Sequence, residues 1–249
     1  MEHSLSGESG RWGRYPISPD EAVVAWPHAA LLVLLLCAGV AYALSESVGY
    51  GVAPFYAEQI AQGVIIDPGH FLWRPFGAAV FAALLQFGYH EDPLWILQAM
   101  SLGGSLASIA IIFIFLRRFV SPAAALLGAA LFAFSNGFWF YSMSGCSYSL
   151  GLFFSLLALV LMMPPPDHSL TVTRLIGAGI CGALSALFWL VYGLTLPILV
   201  GLLVLAHSTH RAPTLSRLAL SATVLVFEYS TTLGLPLLVT YLALPLLDR

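Results

Sequence analysis

From Leu94 to Leu116, Pro122 to Tyr141, Tyr148 to Met163 and Leu175 to Ala206, this chain carries no charged side chain. A helix that is apolar on every side has no place on a soluble surface. About 20 such residues suffice to cross a bilayer. Only 8% of the chain is charged, 59% is hydrophobic and the mean hydropathy is +0.91. Ordinary soluble chains carry about 25% charged residues. The expected fold is all-α, a polytopic transmembrane helix bundle of about 7–8 membrane helices. The expected location is an integral, multi-pass one in a bacterial inner membrane.

The same composition sets aside a disordered chain, a disulfide-rich secreted domain and a nucleic-acid partner. The net charge is -3 and no basic face is discernible. The 9 basic residues are all arginine. Schiff-base chemistry and a lysine phosphate clamp are therefore excluded, and a phosphate must be met by Arg, His or backbone amides. Cys37 and Cys181 lie in apolar runs and Cys146 in a small-residue loop, with no Cys/His pattern suited to metal.

Residues 1–27 read as a polar N-terminal tail and 28–249 as the transmembrane helical domain. Ala29 to Leu44 is the first span, extendable to Trp26, and Pro75 to Tyr89 is a marginal run. Tyr148 to Met163 is stopped by Pro164, Pro165 and Pro166. Leu175 to Ala206 is too long for one span; Gly193 and Pro197 divide it into helices over 175–191 and 194–206. Leu215 to Leu247 is the last run, with Glu228 inside it and Pro236 and Pro245 towards its end. Small residues Ser101, Gly103, Gly104, Ser105 and Ser108, and again Gly177, Gly179, Gly182 and Ala186, predict close helix packing. Arg11, Arg14, Arg117, Arg118, Arg174, Arg211 and Arg217 are placed inside by the arginine rule, with His207 and His210 in an inner basic loop. That puts loops 45–71 and 136–147 outside together, provided that 75–89 does not fully cross.

The first outer loop, 45–74, concentrates the polar chemistry. Pro54 to Gln62 predicts a short amphipathic helix carrying Glu58, Gln59 and Gln62. Asp67-Pro68-Gly69 is a turn that delivers His70, Trp73 and Arg74 to the start of the next helix. Free amides at that helix end and the Arg74 guanidinium suit an anion. Glu58 and Asp67 are candidate general bases. The plainer alternatives are Trp73 and Arg74 as interface anchors, Asp67 as a turn former and His70 as a solvated loop residue. Glu46 is a second acidic candidate or a solvated helix end. Ser142, Ser144, Cys146, Ser147 and Tyr148 form a polar outer loop able to touch a substrate. Glu228, a carboxylate inside an apolar run, is a further candidate. The residues leave a divalent metal open, since Glu46, Glu58 and Asp67 could hold one or none.

Glu58 precedes His70 by 12 positions with Gly63 between them, and His70-Phe71-Leu72-Trp73-Arg74-Pro75-Phe76 follows. In this the chain resembles the GT-C superfamily of integral membrane glycosyltransferases, in the protein O-mannosyltransferase-like branch. The turn at Arg117-Arg118, the helix at Pro122 and the aromatic segment Ser135-Asn136-Gly137-Phe138-Trp139 with Tyr141 resemble its continuation. Phe55 and Tyr56 stand where the family usually has an aspartate, and Phe71 and Leu72 where it has two prolines. The chain is shorter than family members commonly are, as a truncated paralogue or a fragment would be. The resemblance implies transfer of a sugar from a polyprenyl-phosphate donor to an acceptor hydroxyl at the outer face. It implies Glu58 as catalytic base, with His70 and Arg74 near the donor phosphate. Two alternatives belong to other classes. One is a transporter built around Glu228 and helices broken at Gly193/Pro197 and Pro236. The other is a non-catalytic subunit serving a membrane protein partner.

Overall fold

The computed structural model describes residues 26–45, 51–64, 66–67, 69–90, 92–164, 170–209 and 215–247. The tail up to residue 25, with Arg11 and Arg14, lies outside them, as do Glu46, Pro68, Pro165, Pro166, His210 and Arg211. Every described element is helical: α1 (Trp26–Leu44), α2 (Ala53–Ala61), α3 (Trp73–Leu85), α4 (Pro93–Leu116), α5 (Pro122–Ala133), α6 (Asn136–Ser142), α7 (Tyr148–Met162), α8 (Val172–Phe188), a 3-10 turn (Leu190–Leu194), α9 (Thr195–Thr209) and α10 (Leu215–Leu247).

Local chemistry explains most of the boundaries. Asp92 caps α4 by accepting from the Leu94 N–H at 2.8 Å, and Pro93 occupies the first turn, where its missing donor is not needed. Ser121 and Pro122 open α5 in the same way. Trp189, in extended backbone at φ -150 and ψ 115, ends α8. Pro197 falls in the first turn of α9 and so does not break it.

Two expectations are corrected. Pro122 to Tyr141 is not one straight span; α5 and α6 meet at a bend of 66°. The chain leaves the helix at Ser135, which is extended and whose hydroxyl donates back to the Phe132 carbonyl at 2.8 Å. Conversely, α10 runs through Pro236 and Pro245 unbroken. An apolar helix can lose the single backbone bond that proline removes and continue. The broken helix at Pro236 that favoured a transporter is therefore not part of the fold.

Among the described residues, α1 and α4 are long and apolar enough to cross a membrane, and the bent α5–α6 pair adds a third if it is one span. Helix α3 has 13 residues, a length of about 20 Å against a hydrocarbon core of about 30 Å. Exposed Leu32, Val33, Leu36 and Val40 on α1, and Leu127 and Leu131 on α5, present the surface that lipid covers. The chain is a membrane protein.

Helices α4, α7 and α8 form the centre, with α10 against α8. The small residues bring them close. A Cβ on Gly104 would lie 2.8 Å from the Leu150 nitrogen, and one on Gly179 would lie 3.0 Å from the Leu225 carbonyl oxygen. Ser105 Oγ bonds Ser149 Oγ at 3.0 Å across the first contact, and Ser101 Oγ donates to the Cys146 carbonyl at 2.8 Å.

Candidate functional site

Helix α2 lies against α3 and α4 through one face. Tyr56, Ala57 and Ile60 are buried with Trp73 and Leu97, while Phe55, Glu58 and Gln62 face outward. Gly63, at φ 77, turns the chain back. Asp67 then forms the expected turn, accepting from the Gly69 N–H at 2.8 Å. The Leu72 N–H donates to the Leu187 carbonyl at 3.0 Å, fixing the start of α3 to the end of α8.

The structure brings Asp67, His70 and Arg74 together. Asp67 Oδ2 is 3.3 Å from Arg74 Nη2 and 3.4 Å from His70 Nδ1. The guanidinium also donates to the Gln59 side chain and to the carbonyls of Val64 and Ile66. It packs over the Tyr56 ring, 5.5 Å from the centroid. Arg74 is 4% exposed and Trp73 fully buried, with Trp73 Nε1 donating to the Gly145 carbonyl at 3.1 Å. Neither is an interface anchor. Arg74 ties down residues 59–67, and of its guanidinium nitrogens Nε lacks a partner.

Burial alone would push the Asp67 carboxyl up. The Gly69 N–H, the charges of Arg74 and His70 and the Tyr56 hydroxyl outweigh it, and the carboxyl sits below its ordinary value. For His70, burial pushes the imidazole down and Asp67 only partly opposes it. Its ring is therefore neutral at pH 7. An ionised Asp67 can only accept, so a proton on His70 Nδ1 would be shared towards it. The Tyr56 hydroxyl, 2.9 Å from Nδ1, has its own titration pushed far up by burial and then by Asp67.

Glu58 stands apart from this cluster. It is exposed on the outer face of α2 and accepts from Gln62 Nε2 at 3.0 Å. Glu228 is remote in another sense. It lies half-buried on α10 where that helix crosses Gly179, about 12 Å along α8 from Leu187. Among the described residues no three His, Cys, Asp or Glu side chains converge as metal ligands.

Tyr148 joins the cluster to a cavity. Its ring is 6.4 Å from His70, 4.8 Å from Tyr141 and 4.4 Å from Trp189. The cavity, of ≈ 290 Å³, is lined by Phe138, Tyr141, Tyr148, Ser149, Leu152 and Tyr192 among others. Among the described residues no charged side chain lines it. It suits an uncharged, partly apolar group with hydroxyls.

Tyr56 and Tyr192 are the site residues that sequence reasoning passed over. The only signal for Tyr56 was its place one turn before Ile60 on the inward face of α2. Tyr192 gave none, because the 3-10 turn that presents it has no periodic pattern. No protein-family model matches the chain, and no match is found among curated proteins or solved structures.

Proposed function

We propose that the chain is a GT-C-like membrane glycosyltransferase, or a shortened relative, moving a sugar from a polyprenyl-phosphate donor to an acceptor hydroxyl at the outer face. The observation that carries this is the division of labour between the two loop carboxylates. Asp67 is consumed in a pair with the buried Arg74, whereas Glu58 is exposed on a helix anchored by Tyr56, Ala57 and Ile60. Glu58 is the base. It takes the proton of the acceptor hydroxyl, whose oxygen bonds the anomeric carbon as the bond from that carbon to the phosphate oxygen breaks. Polyprenyl phosphate leaves with the electron pair. A positioned carboxylate of this kind contributes roughly 10²–10⁴-fold.

The donor phosphate competes with Asp67 for the Arg74 guanidinium, since both are planar or tetrahedral oxyanions offering two acceptors. His70 moves with Asp67 and lies behind Tyr148, whose ring borders the cavity that takes the uncharged sugar. Binding of polyprenyl phosphate to wild type and Asp67→Asn tests the exchange. Removing the competing carboxylate should tighten binding while lowering the stability of the empty protein. Weaker binding in a well-folded Asp67→Asn protein would overturn the exchange.

A further inference from the structure

Helix α2 lies across the end of α4 that begins at Pro93. Ala53 and Ile60 are seven residues, about 10 Å, apart along α2. Both nonetheless reach the same place on α4. A Cβ on Gly145 would meet the Ala53 Cβ at 3.0 Å and the Gln98 and Leu97 side chains at 3.4 and 3.5 Å. A Cβ on Gly77 would meet Leu97 Cδ2 at 2.8 Å and Ile60 Cδ1 at 3.1 Å. Leu97 stands four residues, about 6 Å, inside the 24-residue span. That is the depth at which an amphipathic helix lies along a bilayer, between headgroups and acyl chains. Trp95, in the first turn of α4 and 59% exposed, marks the same boundary, where indole rings collect.

The uncovered face of α2 matches that depth. Tyr56, Ala57 and Ile60 point into the protein, while Val52, Phe55 and Val64 are 42%, 56% and 46% exposed. Phe55 and Glu58, three residues apart, share this open face. Glu58 is the one charged residue from Gly51 to Val64. A helix whose outer side faces water carries charged and polar residues there, not valine and phenylalanine. We propose that the acceptor whose hydroxyl meets Glu58 is a membrane lipid, which reaches the carboxylate along the leaflet over Phe55. The proposal rests on Glu58 as base and names the substrate class of that site. The lipid hydroxyl gives its proton to the Glu58 carboxylate as its oxygen bonds the anomeric carbon. Polyprenyl phosphate departs with the electron pair of the broken bond, so donor, acceptor and products all stay in the bilayer. A soluble acceptor would have to strip the leaflet from Val52, Phe55 and Val64 to reach the same carboxylate.

The test supplies the full chain, in proteoliposomes, with labelled polyprenyl-phosphate-linked sugars and two acceptor sources in turn. One is membrane lipid extracted into chloroform–methanol; the other is delipidated membrane protein with soluble glycans. Label should enter the lipid and stay there after mild acid, which cleaves the donor. Phe55→Ser should need about fivefold more lipid for half-maximal transfer while its unfolding midpoint stays at the wild-type value. Transfer confined to protein or soluble glycan, or a wild-type lipid dependence in Phe55→Ser, would overturn the lipid acceptor and leave Glu58 as base. No transfer to either source by well-folded protein would remove the glycosyltransferase reading, and this proposal with it. A second measurement does not depend on transfer. Cys146 and Cys181 are buried and Cys37 is exposed, so a fluorophore attached in the double variant Phe55→Cys, Cys37→Ser reports on the α2 face. Lipids brominated high on their acyl chains should quench it. Quenching by aqueous iodide alone would place the face in water and overturn the proposal.

Discussion

Arg74 Nη2 and Asp67 Oδ2 stand 3.3 Å apart with side chains only 5% and 17% exposed. Arg74 is buried and Asp67 half-buried, so this is not a solvent-exposed pair. Breaking such a pair from one side leaves an uncompensated charge, at a cost of about 3–5 kcal/mol. Arg74→Ala should lose that much unfolding free energy in a detergent titration. A loss below about 1 kcal/mol would place the pair with solvent-screened bridges instead.

Acid should destabilise the protein in two windows. His70 has a folded pKa below 6.5, so the unfolded chain binds the proton first and stability falls as pH drops through 6.5 towards the folded value. Asp67 has a folded pKa below 3.8, so its contribution is present above 3.8 and is lost as pH falls from 3.8 through the lower folded value. Unfolding midpoints measured from pH 8 to pH 3 should show both losses. His70→Gln should flatten the upper one and spare the lower. An upper window that survives His70→Gln would assign that titration elsewhere.

The contact between α4 and α7 depends on Gly104. A Cβ there meets the Leu150 backbone nitrogen at 2.8 Å, whereas one on Gly103 meets nothing within 4 Å. Gly104→Ala should therefore cost about 1–3 kcal/mol by overpacking. Gly103→Ala should be neutral or slightly stabilising, because alanine is the better helix former. Thermal unfolding of the two variants side by side checks this, and equal effects would contradict the close approach.

The sequence made some of this legible and hid the rest for physical reasons. The end of α7 before Pro164 follows from proline chemistry that acts within one turn. The small-residue contacts at Gly104 and Gly179 were readable because side-chain size alone permits them. The bend at Ser135 was missed although Ser135-Asn136-Gly137 is a turn signal, because the apolar residues on both sides read as one continuous span. The direction of Arg74 was also hidden. Its partners are Gln59 and two loop carbonyls, and those are placed by the Gly63 turn and by the packing of α2, not by any period. The grouping of Asp67 with His70 was partly visible in the turn that joins them. Their neighbour Tyr56 was not, because it reaches them from another helix.

The central proposal is transfer with Glu58 as base, and one measurement bears on it most directly. Purified wild type and Glu58→Gln are reconstituted with polyprenyl-phosphate-linked sugars and a membrane extract as acceptor source, and transfer of labelled sugar is followed. Wild type should transfer, and Glu58→Gln should be slower by about 10²-fold or more at an unchanged unfolding midpoint. Transfer by Glu58→Gln at the wild-type rate, or none by well-folded wild type across the donor set, would contradict it.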